Sequence, residues 1–411
     1  VRRRRGFSLT EFLVVATLLA LVALAALDLL DRRTRIGTGS VDELDHALRV
    51  ASQALARGVR NAGCGGVARP LSVLDDTPAG ASFVTPSGPI AARPGTDQLR
   101  VRGVLESSLV ALDGIDAATG TPVTGALLGR RPSDARLRVP AWPRGSLEEG
   151  GPRASALEGR LRAALAVPGA APMFLVRDEL GRSAAARVVA LDSGNLTETC
   201  LAARPAEGAT AEPCGLELRL DFTDARATDW SSGTDAVSRL GHVRDGGLLD
   251  DETFFVARGD ESSGFAHPYL ARARGEKGRF QVDRLAEEIE DLQVAVRRSG
   301  RFVPEAPGDR PMEPGSLSDA LGRPLVSMLK LALVAKASAP SSVDRTRWLS
   351  ARGPDGLSGI LLMNARRPPT NVAGADPVGF ARALEDRVPY ARRALVFEVR
   401  PRGFAGERDT P

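Results

Sequence analysis

The sequence predicts an α+β protein: a long N-terminal helix, apolar in its first part and amphipathic in its second, ahead of a large, mainly antiparallel β head. Three observations carry this. From Phe12 to Leu27, sixteen residues hold one polar side chain, Thr17, and no charge. From Val41 onward, Val41, Leu44, Leu48, Ala51, Leu55 and Val59 recur every three or four positions, which places them on one helix face. Beyond residue 66, apolar and polar residues alternate in short runs broken by Gly and Pro, the pattern of half-buried strands.

The front of the chain comes first. Arg2-Arg3-Arg4-Arg5-Gly6 precedes the apolar run, and such a charge block holds an N-terminus in the cytoplasm while the remainder is exported. Phe7 to Leu30 gives about 36 Å of helix at 1.5 Å per residue, enough for a hydrocarbon core of about 30 Å. Glu11 is the anomaly. An acid at the centre of a membrane helix costs about 2.5–3.5 kcal/mol on insertion scales, so its presence asks for a partner. An ordinary signal peptide would carry no acid there and would end in a small-residue cleavage site.

Gly6-Phe7-Ser8-Leu9-Thr10-Glu11 resembles the leader and cleavage site of type IV prepilins and the related pseudopilins. The resemblance implies cleavage by prepilin peptidase between Gly6 and Phe7 and N-methylation of Phe7. It also implies that Glu11 pairs with the new amine of a neighbouring subunit. Desolvation offsets most of that attraction, so the pair would act mainly as a register device. Implied partners are the peptidase, other major and minor pilins through the N-terminal helix, and the inner membrane before assembly. The implied location is a single-pass bacterial inner-membrane precursor whose head is exported into a surface pilus or periplasmic pseudopilus.

After the break Ile36-Gly37-Thr38-Gly39, the segment Ser40-Val41-Asp42-Glu43 reads as a capping box for the amphipathic half. That half ends in four glycines between Gly58 and Gly66. Within this stop, Arg60 to Gly63 looks like the segment that closes the helix in PilW-type minor pilins. The expected organisation is a leader (1–6), a transmembrane assembly helix (7–35), an amphipathic continuation (36–63) and a β-rich head (64–411). A division into subdomains would fall around 120–170, which is rich in Pro, Gly and Arg and holds a helix candidate from Ala154 to Ala166.

Within the head, Asp97–Arg102, Phe174–Arg177, Ala186–Leu191, Leu216–Phe222, Phe254–Arg258 and Tyr269–Arg274 read as strands. Glu179-Leu180-Gly181-Arg182 is a hairpin turn between two of them. Leu285, Ile289, Leu292 and Val296 stand at helical spacing, and the acids Glu287, Glu288, Glu290 and Asp291 around them are expected to form a solvated face leading into a strand at Leu292–Val296. Arg301–Pro324 is a loop by its prolines. Ser327–Ala335 and Ala394–Arg400 are late strands that must pair with earlier ones.

Composition excludes more than it assigns. A net charge of +4 on 411 residues is not a nucleic-acid footprint, so DNA binding has no support. His46, His242 and His267 are too scattered to ligate a metal, and Asp250-Asp251-Glu252 fits no standard calcium spacing. No nucleophile elbow, phosphate loop or zinc-protease motif occurs, so neither an enzyme nor a cofactor nor a metal is expected. Behind an anchor the head faces an oxidising compartment. Cys200 and Cys214 flank a polar loop and make the economical disulfide, worth on the order of 3 kcal/mol; pairing of Cys64 with either is the alternative. The resemblance implies a minor pilin at or near the tip of a type IV pilus, priming its assembly. The alternative is a minor pseudopilin of a type II secretion or competence system, and a tethered exported enzyme ranks behind both.

Overall fold

The computed structural model describes residues 42–401, except 106–108, 116–121, 125–131, 142–152, 167–171, 195, 200–213, 232–236, 260–266, 276–279, 299, 305–311, 313–316, 319–324, 341–359, 363–364 and 368–389. Gly6, Phe7, Glu11, the apolar run and Cys200 lie outside these residues.

Helix α1 covers 42–61. Its stripe is the predicted one: Leu44, Leu48, Ala51, Leu55 and Val59 are buried, joined by Ala47 and Ala62. His46 and Arg49 are on the outward face. Burial of each large side chain is worth about 1.5–3 kcal/mol, so tertiary packing rather than helix propensity holds α1.

The strands follow in order. They begin with β1 (Leu71–Leu74), β2 (Ser82–Thr85), β3 (Gly88–Ala91), β4 (Gln98–Gly103), β5 (Val110–Ala111), β6 (Asp113–Ile115), β7 (Pro122–Thr124) and β8 (Ala135–Pro140). Helix α2 (Arg153–Ala166) precedes β9 (Met173–Asp178), β10 (Ser183–Asp192) and β11 (Gly215–Asp221), and the short α3 (Ala225–Trp230) precedes β12 (Val243–Leu248). Then come β13 (Asp250–Ala257), β14 (Tyr269–Arg274), β15 (Gln281–Glu287), β16 (Ile289–Arg298) and β17 (Arg301–Val303). The last are β18 (Leu329–Pro340), β19 (Ile360–Leu362), β20 (Ala365–Arg367) and β21 (Tyr390–Val399).

Three sheets organise most of them, with β2–β3 and β19–β20 as separate hairpins, and each pairing is antiparallel. The first sheet has the order β1-β4-β13-β14-β15 and the C-terminal sheet β17-β16-β18-β21. Between β4 and β13 the chain makes an excursion that builds an eight-stranded sheet, β5-β12-β9-β10-β11-β8-β6-β7. One core joins the α1 stripe to Leu71, Val73, Leu99, Val101, Phe254 and Val256 of the first sheet and to Leu292, Val294, Leu329, Leu331 and Leu333 of the C-terminal sheet. A second core lies between α2 (Ala154, Leu157, Leu161) and one face of the excursion sheet, including Phe174, Val176, Leu216 and Leu218. The other face of the first sheet is covered by the β2–β3 hairpin, where Phe83 stacks on Phe255 with centroids 4.1 Å apart.

One expectation is overturned. Residues 282–296 form β15 and β16, with no helix between them. Glu288 sits at φ +61, and the pairing of β16 with β18 shifts between Ile289 and Asp291. These two irregularities turn the strand, so Ala286, Ile289 and Leu292 reach one core at intervals of three instead of two. A strand bulged twice imitates helical spacing. The acids are not a solvated face either: Glu288, Glu290 and Asp291 are buried, and only Glu287 is exposed.

Candidate functional site

The described part of the site is the seat in which α1 meets the head. Gly58 is there because the ring of Phe254 on β13 packs directly on it; a Cβ would come within 2.8 Å of that ring. At the C-terminus of α1 the backbone is tied to the end of β4. Gly63 N–H donates to the Arg102 carbonyl at 2.9 Å, Val104 N–H donates to the Cys64 carbonyl, and the Asn61 amide donates to the Leu105 carbonyl at 2.9 Å. Gly65, at φ +92, must be glycine for a second reason: a Cβ would meet Leu175 Cδ2 of β9 at 2.0 Å. The exit loop therefore touches both the first sheet and the excursion sheet. Trp230 of α3 closes the contact, with the Arg102 guanidinium 3.8 Å over its ring and its carbonyl accepting from Ala68 N–H.

Below this collar, where β1 ends and β4 begins, lies an acidic seam. β1 and β4 pair so that Leu74 faces Gln98, which brings Asp75 and Asp76 beside Asp97. Carboxylate oxygens of these three residues lie within 4.8 Å of one another. Asp97 is fully buried; its oxygens accept from Asp76 N–H at 3.1 Å and from Val294 N–H of β16 at 2.7 Å. Burial first, and then the negative charges of Asp75 and Asp291, push its carboxyl well above the usual carboxylate range; the two backbone N–H groups oppose this. Asp75 accepts from Met312 N–H at 2.8 Å through one oxygen. Nearby, Glu290 is buried against Arg93 at 3.1 Å. Glu288 meets His267 at 2.8 Å, and burial raises its carboxyl, with the His267 contact pulling it back.

The residues singled out for other chemistry are placed plainly. Asp250 accepts from Arg160, Asp251 is gripped by Arg100 and Arg102, and Glu252 accepts from Arg272. These acids are ion-paired rather than convergent. Cys214 is disulfide-bonded, whereas Cys64 is a free thiol, half-buried in the collar and raised by that burial; Arg177 lowers it and Asp245 raises it further. Among the described residues no helix is long and apolar enough to cross a membrane, and the apolar run is not among them.

Residues 1–27 match the family model of the prokaryotic N-terminal methylation motif. This match supports a pilin-type protein, processed by prepilin peptidase and assembled with other pilins. A type IV-like pilin from Thermus thermophilus is a structural match at 13% identity, covering 61% of this chain and 95% of that one, with a TM-score of 0.19. No curated protein matches the chain.

The acidic seam had no signature in the sequence. Asp97 opens a strand read from alternation, nothing in the sequence marks Asp75-Asp76, and only the β1–β4 register joins them.

Proposed function

We propose that this chain is a minor pilin of a type IV pilus, of the PilW type, acting as a structural subunit at or near the tip and priming assembly. The supporting observation is the methylation motif over residues 1–27, with Glu11 inside an otherwise apolar segment. In this reading the peptidase cuts after Gly6 while the precursor spans the inner membrane once. Phe7 becomes the methylated N-terminus, and its amine meets Glu11 of a neighbour when subunits leave the bilayer for the fibre.

The head suits such a part. A subunit repeated along a fibre is usually small, whereas the described residues of this one carry sheets of five, eight and four strands behind α1. Because the α1 stripe is also the centre of the first core, the pull of assembly on the helix passes directly into the head. With Cys64 free and Cys214 bonded, Cys200 is the partner we assign to Cys214, across the loop between them.

Mass spectrometry of the native protein tests the reading. The expected mature chain begins at N-methylated Phe7, and Glu11→Gln should leave cleavage intact while removing the protein from sheared fibres. Retention of the arginine leader, or normal incorporation of the Gln variant, would overturn it. Fibre fractionation then separates pilus from pseudopilus, because a surface pilus is released by shear and a periplasmic one is not.

A further inference from the structure

We propose that Asp75, Asp76 and Asp97 form a binding site for a hard divalent cation of the calcium class, which staples the β1–β4 connection to β16. The placement is the first argument. Carboxylate oxygens of three residues lie within 4.8 Å of one another, which one ion with calcium–oxygen distances of about 2.3–2.6 Å can bridge. An all-oxygen donor set with no sulfur or imidazole selects calcium-like ions over zinc or copper. Asp76 is exposed while Asp75 and Asp97 are buried, so the site has both an entry and an interior.

The second argument is an orphaned oxygen. Asp75 is 7% exposed, and its Oδ1 has no hydrogen-bond partner although its Oδ2 accepts from Met312 N–H. Burying an ionised oxygen with no donor is costly, and structures rarely retain one without a reason. An arginine or lysine would relieve it. Among the described residues, however, none forms an ion pair with Asp75 or Asp97, although arginines neutralise acids throughout the rest of the head. A divalent cation supplies this oxygen with the partner it lacks.

The connections give the ion its role. Asp97 N–H donates to the Leu292 carbonyl at 2.8 Å and its carboxylate accepts from Val294 N–H, so it is already fastened to the C-terminal sheet. Asp75 extends β1 of the first sheet. An ion between them locks two sheets that both pack on α1, so cation loading would stiffen the seat of the helix. This role is independent of the pilin reading: the site could bind calcium in a protein that never enters a fibre, and a fibre subunit could lack it.

The test uses the full chain in detergent, stripped with a chelator and titrated with calcium chloride. One equivalent is expected to bind, and about 10 mM calcium, saturating for sites of extracellular affinity, should raise the melting temperature by about 2–8 °C. Asp76→Asn changes an exposed ligand without disturbing the buried pair and should weaken binding about tenfold or more; Asp97→Asn should abolish it. Absence of calcium uptake overturns the proposal. So does a melting shift reproduced by potassium chloride at equal ionic strength, or an Asp76→Asn protein that folds and binds calcium as tightly as the unaltered chain.

Discussion

The two halves of the head handle charge differently. In the excursion sheet, three pairs keep a partly exposed arginine even where the acid is buried: Arg177 with Asp245, Arg219 with Asp134, and Arg182 with Asp178. Around α1, acids are pulled into the seam between the first and C-terminal sheets, where Glu290 and its partner Arg93 are both about 6% exposed. The excursion sheet has its own covering helix, α2, and its own core. The α1 half borrows its covering helix from the segment that follows the methylation motif. The comparison teaches that one half is a self-sufficient layer, whereas the other is completed by α1 and sets an ion pair with both partners buried in its seam.

The sharpest way to break this contrast is Arg93→Ala. Removing one partner of a buried pair takes the Arg93 guanidinium away from buried Glu290, and the expected loss is about 3–5 kcal/mol in chemical denaturation. The double variant Arg93→Met with Glu290→Met should recover most of that loss, because the desolvation cost of both charges disappears together. Were Arg93→Ala to cost no more than an exposed pair, roughly 0–1 kcal/mol, the buried pair would not set the seam apart.

A paired truncation separates the two cores. Leu55→Ala and Leu218→Ala each remove a fully buried leucine and should each cost about 2–5 kcal/mol. Their reach should differ. Leu55 lies in the core shared by α1, the first sheet and the C-terminal sheet, so hydrogen exchange should quicken in β4, β13 and β16. Leu218 belongs to the core under α2, and its effect should stay within β8, β9, β10 and β11. Equal spread from both would show one cooperative unit and end the distinction.

How much of this was legible follows from the period of each element. The α1 stripe was readable because the helix buries one face only, and Leu44, Leu48, Ala51, Leu55 and Val59 are all in the core. Leu216–Phe222 was readable as a strand because Gly215–Asp221 alternates in burial at most of its positions. Residues 282–296 were misread because the turn at Glu288 and the slip at Ile289/Asp291 lengthen a two-residue period to three. The acidic seam was invisible for a different reason. Asp75 and Asp97 are brought together by register, with the whole β2–β3 hairpin looped out between them, and no local pattern records such a meeting. The glycine stop after α1 was legible as a stop, but that Gly65 receives Leu175 was not, since the contact belongs to another sheet.

The smallest expected effect concerns pH, and here the two halves should move in opposite directions. Asp178 closes the β9–β10 turn; burial raises its carboxyl, but Gly241 N–H, the Arg182 guanidinium and Arg182 N–H outweigh that and hold it below its ordinary 3.8. A depressed acid contributes stability that is complete above its unfolded value and is lost as pH falls through its folded one. Glu288 is displaced upward from 4.5 by burial, against the pull of His267 and Lys336 and with the push of Glu43. Its contribution is therefore complete below 4.5 and is lost as pH rises through the higher folded value. Lowering pH toward 3 should weaken hydrogen-exchange protection, corrected for intrinsic rates, at the β9–β10 turn before it does so at the β15–β16 junction. Asp178→Asn should cost about 1–2 kcal/mol near neutrality and flatten the acid response of the turn alone. If both regions lost protection in parallel, or if the Asn variant kept the full acid response, the difference in how the halves carry charge would not extend to their titration. The seam would then have to be explained by packing alone.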